Sequence, residues 1–236
     1  MSNINEITYD ESNVLKKLGP LYHEYSFFGV NNEQLPGIFE LNQKSKSPII
    51  SAYIALAIAH SRKAATDSVS FMEMFCADGY YAMMASRLGC NQCIGIDDDS
   101  QGFFKNAEEI ADLLGIHNVD FINRKITPDM ELPKADIIAN LGGLYHVSNP
   151  EEILKLSFEK ANKFLIVQNV VSLATTDENY FESPAPGWNW GSRYSVESFD
   201  CMIRRLFDKV IVCYFNVLEG NSRLEDRGSV YYLIEK

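Results

Sequence analysis

Two carboxylates, Glu73 and Asp97, lie where apolar runs give way to turns, and their spacing suits the two ends of one extended polar ligand. Glu73 belongs to Phe71-Met-Glu-Met-Phe-Cys-Ala-Asp-Gly79, six residues before a glycine that opens an amphipathic run at Tyr80. In open α/β sheets, ligands bind outside the carboxyl ends of the strands, where loop backbone and helix N-termini converge. A carboxylate at that place suits a ligand carrying an ammonium group. Asp97 closes the apolar run Cys93-Ile-Gly-Ile-Asp97, with Asp98 beside it. An acid about twenty residues beyond the first turn, at the end of the next parallel strand, can accept two hydrogen bonds from a ribose diol. Either acid alone could equally serve as a helix N-cap. The pair, set one strand-helix-strand unit apart, points to a nucleoside.

These acids need a sheet to hold them, and the pattern supplies one. From Val69 the chain predicts strand, helix, strand, helix, strand: a helix from Tyr80 to about Leu88 stopped by Gly89, a second from Gly102 to Leu114 ended by Gly115, and a third strand over Val119 to Asn123. Ala135 to Leu141 reads as the fourth strand, Glu151 to Asn162 as a helix opened by Asn149-Pro150, and Phe164 to Val171 as the fifth strand. After a loop over 172 to 192, a helix over Ser195 to Phe207 precedes two apolar strands, Val210 to Val217 and Ser229 to Glu235. The fold class expected is α/β, a doubly wound sheet of five parallel strands plus a C-terminal antiparallel pair. Residues 1 to 66 read as a helical cap on a domain spanning 67 to 236. Asp10 or Ser12 is expected to start a helix over Val14, Leu15 and Leu18, stopped by Gly19-Pro20. Ser47-Pro48 is expected to open another, running to about Lys63, whose apolar residues on nearly every face imply burial. Between them the rings of Tyr22, Tyr25, Phe27 and Phe28 suit either a lid or a cover for the sheet edge.

The motifs Glu73-Met-Phe-Cys-Ala-Asp-Gly79, Gly95-Ile-Asp97 and Leu141-Gly-Gly-Leu-Tyr-His146 with Asn149-Pro150 resemble the successive motifs of class I S-adenosylmethionine (SAM)-dependent methyltransferases. The branch most similar is the one that includes bacterial tRNA wobble-uridine-modifying enzymes, some of which use carboxy-modified SAM. The resemblance covers about residues 70 to 236 and implies a Rossmann-like sheet, SAM as cofactor, S-adenosylhomocysteine (SAH) as product, and methyl transfer. It assigns the cofactor to Glu73, Phe75, Ala77, Gly79, Asp97 and Asp98, with the adenine near Lys125, Ile126, Asn140 and Leu141. The commoner motif has glycine at the positions of Phe75 and Ala77. Because Phe75 does not readily take a positive φ, the turn is expected to keep to ordinary backbone regions.

His146 follows the fourth strand, where the resemblance would present the methyl group. A histidine can take a proton from an acceptor there, or orient its loop through backbone hydrogen bonds. Tyr145 reads as a pocket wall. The loop Ser183-Pro-Ala-Pro-Gly-Trp-Asn-Trp-Gly-Ser-Arg-Tyr194 brings Trp188, Trp190, Arg193 and Tyr194. It suits closure over an acceptor by ring stacking with Arg193 on an anion, or a rigid connector whose rings plug the core.

Composition sets the partner. The net charge is −11, and residues 67 to 142 carry five basic against thirteen acidic side chains. Nucleic-acid binding draws its affinity from lysine and arginine on phosphates, and no segment offers a basic stripe. The expected acceptor is therefore a small molecule such as a sugar, a nucleotide-linked metabolite or a natural-product intermediate; a tRNA-modifying (carboxy)methyltransferase and a non-catalytic SAM-binding protein are the alternatives. Cys90-Asn-Gln-Cys93 lacks the second ligand pair that zinc requires, so no metal is expected. A polar start without an export signal, no long apolar run and single cysteines suit the cytoplasm.

Overall fold

The computed structural model describes residues 13–62 and 67–236. Along the chain come helix α1 (Ile38–Ser61), strand β1 (Ser70–Met74), α2 (Tyr80–Arg87), β2 (Gln92–Asp97), α3 (Ala107–Leu113), β3 (Val119–Asn123), β4 (Ala135–Leu141), α4 (Pro150–Lys160) and β5 (Ala161–Val171). A short pair follows, β6 (Phe181–Glu182) and β7 (Arg193–Tyr194), then α5 (Val196–Leu206), β8 (Val210–Val217) and β9 (Gly228–Glu235). Seven strands form one sheet in the order β3-β2-β1-β4-β5-β9-β8. The first five pair in parallel, β9 runs antiparallel to β5, and β8 antiparallel to β9. This is the α/β Rossmann-like sheet with an antiparallel C-terminal hairpin that the strand pattern predicts.

The order of the strands places the acids. The chain steps outward from β1 to β2 and β3, then returns to lay β4 on the other side of β1, so adjacent loops diverge between β1 and β4 and leave a crevice. Glu73 is level with Gly95 on β2 and Ala139 on β4, one residue from the end of its strand, and Asp97 ends β2. Both carboxylates therefore reach the same edge of the sheet.

Helices cover both faces, which is why β5 is buried along nearly its whole length. One face packs on α4 and α5 through Ile153, Leu154, Leu156, Phe199, Met202 and Ile203. The other packs on α1, α2 and α3, and the core there includes Leu15, Leu21, Tyr25 and Val30 from the segment before α1. Serine caps hold α5 in place, since the Ser195 Oγ accepts from the Ser198 amide at 2.9 Å; a cap of this kind contributes about 1 kcal/mol.

Four local expectations are corrected. The helix expected from Ser47-Pro48 begins ten residues earlier, at Ile38, and Pro48 lies inside it. Pro48 falls on the exposed side of the helix, which runs on without interruption to Ser61. Its buried face is also narrower than expected: Ile50, Tyr53, Ile54, Ala57 and Ile58 point inward while Leu56 is exposed. Of the helix expected over Val14 to Leu18, a 3-10 turn over Lys16–Leu18 is present; its proposed starts, Asp10 and Ser12, and the expected end at Lys63 lie outside the described residues. Finally, the helix expected from Gly102 is a 3-10 turn over Phe104–Asn106 followed by α3, because the Asp99 Oδ1 accepts from the amides of Phe104 (2.8 Å) and Lys105 (3.3 Å) and pins the loop.

Candidate functional site

A cavity of about 460 Å³ opens at the carboxyl edge of β1, β2 and β4, within the size range that encloses a drug-sized ligand. Glu73, Phe75, Ala77, Asp97, Asp98, Lys125, Ile126 and Leu141 line it, together with Tyr145 and His146. Gly79, Asn140, Trp188, Trp190, Arg193 and Tyr194 do not.

Glu73 is buried, and one carboxylate oxygen accepts from the Ala82 amide in the first turn of α2 at 2.7 Å. That bond caps the helix and fixes the side chain. Burial raises its pKa well above the ordinary carboxylate value, the amide bond opposes this, and the nearby Asp78 and Asp97 add to the rise. Asp97 spans two backbone turns: its Oδ2 accepts from the Ala77 amide (3.0 Å) and its Oδ1 from the Asp99 amide (3.1 Å). Burial raises its pKa too, against those two bonds. Asp78 is engaged by His23: its Oδ1 lies 2.5 Å from the His23 Nδ1, and its Oδ2 accepts from the His23 amide at 3.0 Å. Among the described residues Glu73 and Asp97 have no basic partner, so a cation entering the cavity would find two acids already oriented and largely desolvated.

The turn between β1 and α2 corrects an expectation. Phe75 and Ala77 stand at φ 63° and 49°, the left-handed region that the missing glycines were expected to forbid. Several contacts enforce it. The Cys76 amide donates to the Ile96 carbonyl (3.0 Å), the Ala77 amide to Asp97, and the Phe75 ring rests on Gly143, where a Cβ would fall within 1.9 Å of it. Left-handed residues with a side chain cost about 1 kcal/mol or more each, and persist where their surroundings over-determine them. Gly79 is needed for packing: at φ 80° it caps α2, and a Cβ there would lie 2.3 Å from the Phe121 ring.

The segment before α1 contributes more of the site than its sequence signalled. Tyr22 and His23 line the cavity, and Tyr22 packs on Phe39 and Phe103 with ring centroids 5.3 and 4.6 Å away. Tyr25 and Phe28 instead pack on Tyr80 in the core. One face of α1 adds Phe39, Asn42, Gln43, Lys46 and Ile50 to the cavity wall. Lys46 is half-buried, and burial pushes its pKa down to about 8. The signal that could have found these residues is the recurrence of positions 39, 42, 43, 46 and 50 on one helical face, hidden by placing the helix start at Ser47.

His146 lies on a 3-10 turn after β4, stacked on Trp190 at 5.0 Å and 9°. Burial of its ring against its neighbours, then the charges of Arg193 and Lys46, pull its pKa down to about 4, although the residue keeps an exposed edge. Arg193 is already engaged: it pairs with Asp226 at 2.6 Å and donates to the carbonyls of Tyr145 (3.1 Å) and Ser192 (2.7 Å). Trp188 and Trp190 are exposed, and Tyr194 packs on Phe199. Asn140 points away from the cavity, its Nδ2 donating to the Ser157 Oγ at 3.3 Å. Among the described residues, no helix is long and apolar enough to cross a membrane.

No protein-family model matches this sequence. No curated protein sequence matches it either. Solved structures match its fold. Magnesium protoporphyrin IX methyltransferase from Synechocystis PCC 6803 with bound SAH aligns with a TM-score of 0.61 at 11% identity, covering 89% of this chain and 92% of that one. The N-terminal domain of EvdMO1 with SAH bound aligns at 0.59 and 14%, covering 96% and 94%. Coclaurine N-methyltransferase bound to N-methylheliamine and SAH aligns at 0.55 and 13%, covering 78% and 73%. At such identities the likeness is one of fold. The chain has the class I SAM-dependent methyltransferase fold.

Proposed function

We propose that the protein is a SAM-dependent methyltransferase acting on a small molecule. The observation that carries this reading is the pair of uncompensated, pre-oriented carboxylates, Glu73 and Asp97, on one cavity at adjacent strand ends. The residues fit the cofactor: Glu73 suits its ammonium group, Asp97 its ribose hydroxyls, and Ile126 and Leu141 offer apolar surface to its adenine, with Lys125 at the rim. When bound, SAM supplies an electrophilic methyl group, which the acceptor's lone pair takes as the carbon–sulfur bond breaks and its electrons return to sulfur, leaving SAH.

The chain's own part is placement and proton handling. Tyr22, Phe39 and Phe103 add a mutually packed apolar surface to the cavity wall. The acceptor's proton leaves to an imidazole. His146 lines the cavity, and its lowered pKa favours the neutral ring that accepts a hydrogen bond from the acceptor while weakening it as a base. His23, whose Nδ1 is fixed by Asp78, presents the second imidazole of the cavity wall, in an arrangement where a carboxylate orients a base. The described wall carries two lysines against Glu73, Asp97 and Asp98, too little positive surface to grip a polynucleotide, which favours the small acceptor over tRNA.

The test is calorimetric titration with SAM, SAH and NAD. SAH is expected to bind and NAD to fail; Asp97→Ala is expected to lose SAH binding while keeping its fold. Equal binding of SAH by Asp97→Ala, or preference for NAD, overturns the assignment.

A further inference from the structure

The cavity has two walls of opposite character. The carboxylates of β1 and β2 line one, and α1 lines the other, with Lys46 at its centre. Lys46 has no carboxylate within ion-pairing distance among the described residues, and burial alone shifts it. A half-buried ammonium facing a cavity without an anion is an uncompensated charge, and an entering anion would repay the desolvation already incurred. Lys46 rises from the helix wall, whereas Glu73 and Asp97 come from the strand ends, and its charge acts on His146 together with that of Asp98. Beside it the rings of Tyr22, Phe39 and Phe103 form one mutually packed cluster, with Phe39 and Phe103 centroids 6.0 Å apart, and all three reach the cavity. An aromatic, apolar surface therefore lines the same cavity as the free cation.

We propose that the acceptor is a small ring-bearing organic anion, its anionic group on Lys46, its ring against Tyr22, Phe39 and Phe103, and its reacting atom toward His146. The proposal rests on the methyltransferase reading and deepens it by naming the acceptor class. An anion held at the far wall leaves the acidic wall to the positive groups of the cofactor, so the two ligands do not compete for the same charges.

Benzoate, phenyl phosphate and benzamide serve as probes, titrated into the protein with and without saturating SAH. The acids separate a carboxylate preference from a phosphate preference, and the amide matches benzoate in shape without its charge. Wild-type protein is expected to bind at least one acid about tenfold or more tightly than benzamide. Lys46→Gln should bring that acid to the amide's level, and Lys46→Arg should retain most of the difference. Lys46→Gln should not lower the melting temperature, since it removes a desolvated charge, and should keep SAH affinity. Equal binding of acid and amide, or no binding of either acid at about 10 mM, overturns the proposal. So does a Lys46→Gln variant that loses SAH and keeps the acids, which would assign Lys46 to the cofactor. Failure of wild-type protein to bind SAH would remove the methyltransferase reading alone, because the acid-amide difference is also measured without SAH.

Discussion

Replacing Glu73 by Gln should move stability and ligand binding in opposite directions. The amide keeps an oxygen for the Ala82 amide, now 2.7 Å from the carboxylate, so the cap on α2 survives. What disappears is a buried charge whose pKa burial, Asp78 and Asp97 have raised. The native state therefore holds the Glu73 proton more tightly than the unfolded chain does. Its favourable contribution is whole below the unfolded value near 4.5 and is lost as the pH climbs through the folded value. Ligand-free Glu73→Gln should thus be more stable than wild type at pH 8, with the gap narrowing toward pH 5. Binding should suffer, because a hydrogen bond to a charged partner contributes about 2 kcal/mol, or roughly thirtyfold in Kd for SAH. Guanidinium unfolding of the ligand-free protein at both pH values, with calorimetric titration of SAH, measures the two effects. If the variant is less stable throughout and binds SAH like wild type, Glu73 is a helix cap and nothing more.

Ala77→Gly should stabilise the protein by about 1 kcal/mol, since glycine carries no penalty at φ 49°, and equilibrium unfolding would read the gain; a loss would show that the turn is unstrained. Pro48→Ala should raise stability by up to about 3 kcal/mol by restoring the amide bond inside α1, and an unchanged urea midpoint would refute that cost. Arg193→Met should destabilise by about 3 kcal/mol, because it removes the donor to the Tyr145 and Ser192 carbonyls and leaves Asp226 only its longer 3.5 Å pair with Arg223; a drop below about 1 kcal/mol would return Arg193 to the candidates for ligand contact.

Strands and the helices between them were legible because their signals are local: apolar runs bounded by glycine and proline, with acids at the tips. The places of Glu73 and Asp97 followed from that pattern. The turn between them did not, because the backbone at Phe75 is set by the absent side chain of Gly143, far along the chain. Likewise Arg193 read as free for a ligand, its partner Asp226 lying in a loop that no spacing rule connects to it. Helix α1 was mistaken at its start since a proline's local preference outweighed, in the sequence, contacts that only the folded cavity wall supplies. His23 gave no signal at all: its partner Asp78 is 55 residues away.

Helix α1 divides its labour along its length. Phe39, Asn42, Gln43, Lys46 and Ile50 face the cavity, while Ile54, Ala57 and Ile58 anchor the remainder against the sheet, and Pro48 falls near the boundary. Changes to Phe39, Asn42 or Lys46 would retune which molecules are admitted without loosening the foundation beneath. On the proposed reading, selectivity can thus drift through substitutions on a few turns of one helix, leaving the acids at the strand tips untouched.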